Sequence, residues 1–457
     1  MIEHGGEERM ELCNQLADLV WGSGLLILLL GSGLYLSIQN RFFQLYDWKR
    51  ILRTTFGSFH FRTNHTSDDK WQSQLQTFST ALAAAMGTGN LIGVATALRL
   101  GGAGAIFWMW ISALLGMMLT YTENRLSCRY ATGEIRGPMA YLHFGLHTPY
   151  LAVIYAIFCI AASFGMGNMT QSSVIASLAE SAFSIPPWST GLFITLILGI
   201  ILLHGAKGIG SVLQWLMSIL ATGYMLAAVL VILLHLSAIP MTLRQILQGA
   251  FGLDAITGGV SGAALRHAMT IGLRHGIFSN KAGLGSNALV HAGNDSDDGV
   301  LQGLWSMVEV ALDTLVCCTL TALAILTSGA TAKTSGELLV AGFSSLFGSY
   351  TSQILAVITA LFAMCTLIGW SCCGEQAVRY LFSRHFGKTA VSAYRLLFCL
   401  IAGLGTVCSL GIAWAISDIA NGLMAFPNLL GILLLSRLKK HLISQKKCLL
   451  YHENCPK

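Results

Sequence analysis

Apolar stretches containing no Asp, Glu, Lys or Arg recur along the chain, and each is at least 18 residues long. About 20 apolar residues cross the hydrocarbon core of a bilayer as a helix. The pattern therefore predicts membrane helices. The longer runs, 137–179 and 338–374 among them, hold a polar connection as well as a helix. Between 244 and 313 the pattern is less clean, because Arg266, Arg274, Lys281, Glu309 and Asp313 sit in apolar surroundings. Two spans are expected there nonetheless. Eleven spans follow in all, near 19–40, 75–98, 103–126, 150–178, 189–205, 210–237, 262–293, 300–328, 352–382, 391–408 and 410–436. The fold class is an all-α polytopic membrane protein.

Composition agrees. Of the 457 residues 54% are hydrophobic and 11% charged, against about 25% charged in soluble domains. Disorder, nucleic-acid binding and a disulfide scaffold are excluded. The 49 glycines against 7 prolines suit closely packed membrane helices. The net charge of +6 matters for topology. With the C-terminus cytoplasmic, 20 Lys and Arg fall in cytoplasmic segments and 4 outside, and three more (Arg266, Arg274, Lys281) belong to the seventh span. That split fits the positive-inside rule, with the N-terminus outside and the C-terminus inside an inner (plasma) membrane. Residues 1–18 form an extracytoplasmic tail without the basic start of a signal peptide, so the first helix is expected to remain as an anchor. An extra helix and a basic cytoplasmic loop occupy 19–74, and a basic cytoplasmic tail occupies 437–457.

Enzymatic chemistry finds no foothold. The sequence has no HExxH, Walker or GxGxxG motif. The twelve cysteines, with the vicinal pairs Cys317–Cys318 and Cys372–Cys373 and no CxxC, read as small buried hydrophobes. His204, His235, His267 and His275 are scattered over different spans and suggest no metal site.

Two spans break the helical rules. The second contains Ala85-Met86-Gly87-Thr88-Gly89-Asn90, and the seventh runs from Gly276 through Phe278-Ser279-Asn280-Lys281-Ala282-Gly283-Leu284-Gly285. Gly costs up to about 1 kcal/mol per helix position relative to Ala, and backbone freed from a helix finds no partner in lipid. Paired interruptions, one in each half, point to a transporter site built from broken helices. Half-helix N-termini there receive a carboxylate, and unwound carbonyls hold a cation. Tight packing alone is the alternative, since Gly89 and Gly93 form a GxxxG. It leaves unexplained why Asn90 and Asn280 lie beside the breaks, because a buried Asn needs partners.

These residues carry a resemblance. Gly87-Thr88-Gly89-Asn90, Phe107-Trp108-Met109-Trp110, Gly167-Asn168-Met169-Thr170-Gln171 and Phe278-Ser279-Asn280 resemble the alanine or glycine:cation symporter family, also called sodium:alanine symporters. The likeness continues through Ala282-Gly283-Leu284-Gly285, Gln302-Gly303-Leu304, Asp313-Thr314, Ile368-Gly369-Trp370-Ser371, Gly374-Glu375, Ser417-Asp418-Ile419 and Leu423 to Asn428. It spans about 18–436 in order. The resemblance implies a leucine-transporter-like core of two five-helix inverted repeats, 75–237 and 238–436, preceded by one extra helix. It also implies inward transport of small neutral amino acids, alanine or glycine, driven by Na+, with H+ as the other candidate. No organic cofactor, nucleic acid or obligatory protein partner is implied; the partners are substrate, ion and lipid bilayer.

Position by position, the family pattern assigns the substrate carboxylate to Gly87, Thr88, Gly89 and Asn90. Its ammonium goes to the Phe278 and Ser279 carbonyls and the Gln171 side chain, with Asn280 alongside and Trp370 capping a small pocket. A zwitterion out of water needs partners at both ends. One Na+ site is expected at carbonyls near Ala83 and Met86 with the Thr366 hydroxyl. A second would share the Ala85 carbonyl and Asn90 with Thr314 or Asp313. Ionisable residues inside spans are functional candidates, and Asp313 is one. Glu123 and Glu375, near span ends, are expected to pair with Arg129 and Arg379.

The chain departs from the family in several places. Where the family usually reads Ser-Asn-Glu-Ala-Gly, it has Ser279-Asn280-Lys281-Ala282-Gly283. Gly101-Gly102-Ala103-Gly104 replaces Gly-Gly-Pro-Gly, and Cys372-Cys373 replaces a tyrosine pair. Lys281 is the change that bears on coupling. Its ammonium takes the place of a cation and weakens Na+ dependence, or pairs with Glu309 or Asp313 and leaves a Na+ site intact, or, desolvated, gives up its proton and becomes a proton carrier. A divergent paralogue, H+-coupled or sensing without transport, is the alternative function.

Overall fold

A computed structural model describes residues 11–13, 15–56, 86–204, 209–251, 261–291, 298–382 and 387–438. Among these residues there is one isolated bridge, Thr132 to Ile135, and no strand. The helices that carry the architecture are α1 Ser23–Gln39, α2 Val94–Gly101, α3 Gly104–Tyr130, α4 Pro149–Phe164, α5 Thr170–Phe183 and α6 Pro187–His204. They continue with α7 Ile209–Leu234, α8 Ile239–Phe251, α9 Ser261–Asn280, α10 Ser286–His291, α11 Gly299–Val310 and α12 Thr319–Thr327. The last four are α13 Ser335–Phe347, α14 Thr351–Phe382, α15 Gly387–Val407 and α16 Leu410–Leu438. Among the described residues, six helices or continuous helix pairs are long and apolar enough to cross a membrane, and two bent pairs would raise this to eight.

The outer surface suits lipid. On α6, Leu192, Leu196 and Ile200 recur every four residues and are 57, 58 and 62% exposed. On α15, Leu396, Leu400 and Leu404 do the same at 61, 51 and 64%. In water such stripes would be association sites; in a bilayer they meet a matching solvent.

α3 is the central post, packed by α9, α11 and α8. Its small residues allow close approach to α9. A Cβ on Gly272 would come within 2.3 Å of the Ala105 carbonyl oxygen, and one on Gly276 within 2.8 Å of Ser112 Oγ. This is the small-residue packing of membrane helices.

Helices occupy the intervals in which spans were expected, but not all are regular. The seventh interval is split, α9 ending at Asn280 and α10 starting at Ser286. The second is described only from Met86 onward, so Ala83 and Ala85 lie outside the described residues. Three π-helical turns interrupt the long helices near these breaks: Gly89–Gly93 before α2, Gly165–Met169 between α4 and α5, and Ala311–Cys318 between α11 and α12. Such turns redirect side chains and recur at functional sites.

Two of the helices named above lie where only connections were expected. α8 turns 79° away from the helix before it, with Pro240 in its first turn, where a missing N–H is harmless. It buries Thr242, Ile246 and Ala250, a four-residue repeat, against α3. α13 opens with a capping box: Thr334 Oγ1 accepts from Glu337 N at 3.2 Å while Glu337 Oε2 accepts from Thr334 N at 3.3 Å.

Candidate functional site

At the first expected break the described residues begin with Met86 and Gly87, outside regular helix, and enter the π turn at Gly89. Gly87 N donates to Asn90 Oδ1 at 3.1 Å, so Asn90 closes the turn on itself. Thr88 offers both its N–H (3.4 Å) and its hydroxyl (3.0 Å) to Gln171 Oε1, and Gln171 Nε2 donates to the Met166 carbonyl at 3.0 Å. Gly87 is required sterically. A Cβ there would stand 2.3 Å from Thr366 Oγ1. Gly89 lets the two breaks touch, since its Cβ would meet Phe278 Cδ1 at 3.1 Å and Ser279 Cα at 3.2 Å.

The second break turns left-handed three times in five residues. Lys281 has φ +60°, Gly283 +84° and Gly285 +76°. Glycine tolerates this region and lysine does not, so Lys281 is held there by its surroundings. The freed carbonyls are covered by side chains. Lys281 Nζ donates to Phe278 O, Asn287 Nδ2 to Asn280 O at 3.2 Å, Asn428 Nδ2 to Gly283 O at 2.8 Å and Tyr155 Oη to Leu284 O at 2.9 Å. Asn428 also donates to Glu123 Oε1 at 2.6 Å and accepts from Tyr141 Oη. The expected ion pair of Glu123 with Arg129 is therefore not formed. Glu123 is buried and accepts from Asn428, which also covers the Gly283 carbonyl of the break; Arg129, six residues on, faces another side of the helix. Glu375 does pair with Arg379 at 2.8 Å, and with Arg395 at 2.8 Å.

Asp313, in the π turn after α11, ties the breaks together. Asn90 Nδ2 donates to its Oδ1 at 2.7 Å and to its backbone oxygen at 3.1 Å. Its Oδ2 accepts from Ser279 Oγ at 2.5 Å and from Thr314 Oγ1 at 2.8 Å, and Asn280 Nδ2 reaches Thr314 Oγ1 at 3.2 Å. All five residues are buried. A buried carboxylate needs this density of donors.

Of the residues singled out in the sequence, Gly87, Thr88, Gly89, Asn90, Gln171, Phe278, Ser279, Asn280, Asp313, Thr314 and Thr366 meet in one connected constellation, with Met86 buried at its edge. Trp370 lies one helical turn beyond Thr366 and packs on Gly167, whose Cβ would stand 2.3 Å from Trp370 Cβ. Lys281 is 3% exposed and lies 4.6 Å from the Phe278 ring centroid. It forms no ion pair with Glu309 or Asp313 among the described residues; the Phe278 carbonyl is its partner. Glu309 instead contacts His291 at 3.0 Å. Sequence reasoning missed that pair, Asn428 and Cys318, whose Sγ is 3.2 Å from Ser279 Oγ. Only the spacing of Glu309, four residues before Asp313, could have drawn attention to it.

Comparison with known proteins decides the family. The family model for sodium:alanine symporters matches residues 7–448. The chain belongs to the sodium:alanine symporter family. It is a membrane transporter and not an enzyme, from a family of cation-coupled amino-acid carriers. A sodium/alanine symporter, AgcS, of Methanococcus maripaludis is 36% identical over 442 residues, covering 93% of this chain and 95% of that protein. A probable sodium/glutamine symporter, GlnT, of Bacillus subtilis is 35% identical over 428 residues, covering 92% and 87%. A putative sodium/proton-dependent alanine carrier, YrbD, of the same organism is 31% identical over 438 residues, covering 92% and 88%. Among solved structures, a manganese transporter of Eremococcus coleocola shares the fold, with TM-score 0.51 and 16% identity over 80% of this chain and 78% of that one.

Proposed function

We propose that this family member imports a small neutral amino acid, alanine or glycine, together with Na+ by alternating access. The observation that supports it most is the Asn90–Asp313–Ser279 knot, which joins the segment 87–90 to the break after Asn280, an arrangement that suits a substrate and ion site built on broken helices. On this reading eleven helices cross the bilayer, N-terminus outside and C-terminus inside. Repeats 75–237 and 238–436 form a leucine-transporter-like core behind the extra helix and loop of 19–74. The substrate carboxylate displaces the Gln171 and Asn90 oxygens from the amides of Thr88 and Gly87, and its ammonium meets Gln171 and the carbonyls of Phe278 and Ser279. Trp370, against Gly167, limits the pocket to a small side chain. One Na+ lies between the first break and Thr366, with Met86 and Ala83 carbonyls. The other uses the oxygens of Asp313 and Thr314 with Asn90 and Ala85. The alanine and glutamine named for the relatives mean that family membership leaves the amino acid open, and the small residues around the breaks favour alanine and glycine.

One observation favours a second reading of the coupling. The Lys281 ammonium already occupies the Phe278 carbonyl, at the negative end of the half-helix α9. A resident cation there weakens dependence on Na+, and the putative sodium/proton-dependent carrier YrbD is a relative compatible with H+ in its place. Uptake of labelled alanine and glycine into proteoliposomes under separate Na+ and H+ gradients tests both readings. Accumulation driven by Na+ supports the first, and accumulation driven by H+ alone supports the second. Transport indifferent to every cation gradient refutes symport.

A further inference from the structure

One charged residue of the seventh span takes no part in the knot. Arg274 lies on α9, six residues before its end at Asn280, and its side chain is 11% exposed. A guanidinium inside a membrane span needs partners and marks a functional position. Its partners come from one short stretch, the chain just before α1. Arg274 Nη2 donates to Asp18 Oδ1 at 2.8 Å and to the Ala17 carbonyl at 3.4 Å. The guanidinium carbon stands 5.8 Å from the centroid of the Trp21 ring, within cation–π range. Residues 17–21 thus grip a single side chain of α9.

The same stretch is fixed to α16. Trp21 is 2% exposed, and its Nε1 donates to the Asp418 carbonyl at 2.9 Å. Gly422, one turn further on, makes room for Val20: a Cβ there would stand 2.3 Å from Val20 Cγ1 and 3.4 Å from Trp21 Nε1. A backbone acceptor and close packing make this the firmer end. The end on α9 is the weaker one, because Asp18 is 73% exposed and an exposed ion pair is easily broken.

α9 and α16 are also the helices that meet beside the knot. The Trp414 ring on α16 lies 4.2 Å from the Phe278 ring and 5.2 Å from the His275 ring. A Cβ on Gly93, in the π turn of the first break, would meet Trp414 Cη2 at 3.6 Å. Trp414 therefore covers both Phe278, the neighbour of Ser279, and the first break. Any opening between α9 and α16 parts Trp414 from Phe278 and stretches the contacts of Arg274, since residues 17–21 bridge the same two helices. On the proposed topology this side is external: α9, α16 and the chain before α1 all begin there.

We propose that residues 17–21 are a strap across the external mouth, anchored on α16 and latched to α9 through Arg274, and that outward opening requires the latch to release. The proposal rests on the transporter reading. It gives the first helix, which stands outside both repeats, a part in alternating access.

The test is the separation of α9 and α16 in the full chain in liposomes, read by pulsed electron paramagnetic resonance. Spin labels are carried by unnatural amino acids at Ala264 and Gly411, exposed positions at the starts of these helices, so the native cysteines stay in place. Asp18→Ala should raise the population with the longer distance about 3-fold, the effect of losing one exposed ion pair. Trp21→Leu loosens the latch and the anchor together and should raise it about 10-fold. With Trp21→Leu in place, adding Asp18→Ala should have a smaller effect than it has alone, because both contacts hold one guanidinium. A stretch that only props up the fold would lower the melting temperature of the variants and leave the distances as in the wild type, and that result overturns the strap. If Trp21→Leu fails to fold, as judged by its elution from size exclusion, Asp18→Ala carries the decision. Alanine uptake is measured on the same proteins. Uptake with unchanged distances in the variants overturns the strap and leaves the transporter standing, whereas a wild type that moves no amino acid under any gradient overturns the transporter reading itself.

Discussion

At the scale of single residues, Lys281 is the position where chemistry and conformation are both unusual. It adopts a left-handed backbone that costs a non-glycine residue about 1 kcal/mol or more, and it is buried. Its ammonium is anchored on the Phe278 carbonyl and ring. Replacing it by glutamate swaps a cation for an anion beside Asp313. Lys281→Glu is expected to raise the Na+ dependence of uptake and change its pH profile, since the added carboxylate must be neutralised by a bound ion or a proton. Identical Na+ and pH curves for the two proteins would mean that Lys281 only caps α9. Trp370 poses a simpler question. If it limits the pocket, Trp370→Leu should improve competition by serine and valine relative to glycine; an unchanged rank order assigns it to packing on Gly167 alone.

Elements explain which parts of the molecule the sequence could reveal. Charge-free stretches mark the long helices because lipid imposes that pattern on every lipid-facing turn. The breaks are visible because Gly283 and Gly285 leave a local trace. By contrast α8 and α13 were not expected, since they fall between the stretches read as spans; only Pro240 and the Thr334–Glu337 capping box marked them. Glu123 was misassigned for another reason. Its neighbours in sequence are basic, but its partner Asn428 is 305 residues away, and no local rule reports such a contact. The conformation of the second break gives a direct test. Gly285 has φ +76°, and a Cβ would stand 2.3 Å from Pro138 Cγ and 2.9 Å from Tyr155 Oη. Gly285→Ala should lower stability by about 1–3 kcal/mol and impair uptake. Gly262→Ala, with nothing within 4 Å of its Cβ in α9, should be neutral or stabilising by up to about 1 kcal/mol. Thermal melting in detergent distinguishes them, and equal losses would contradict this account of the break.

For the whole molecule, the proposed division into two repeats at residue 238 makes the contact between them the one to test. Asn90 belongs to the half before residue 238, and Asp313, Ser279 and Thr314 belong to the half after it. The contact completes polar groups on both sides: Asn90 Nδ2 finds its acceptors in Asp313 and Cys318, and Asp313 loses one donor without Asn90. Membrane helices gain little from apolar contact with one another, because lipid is equally apolar. A buried polar contact between the halves therefore carries a large share of their specificity. Asn90→Ala alone takes away the side-chain donor to Asp313 Oδ1, leaving Ser279 and Thr314 on Oδ2, and should lower alanine affinity and stability by about 1–3 kcal/mol. Asp313→Asn alone removes the charge but keeps a side chain of the same size. In the double variant the second change should cost less than it does in the wild type, because the contact is already gone. The coupling energy from the four melting curves is expected at about 0.5–3 kcal/mol, the range for residues in direct contact. Additive losses would show that the halves are held together elsewhere and that the Asn90–Asp313 contact does not join them.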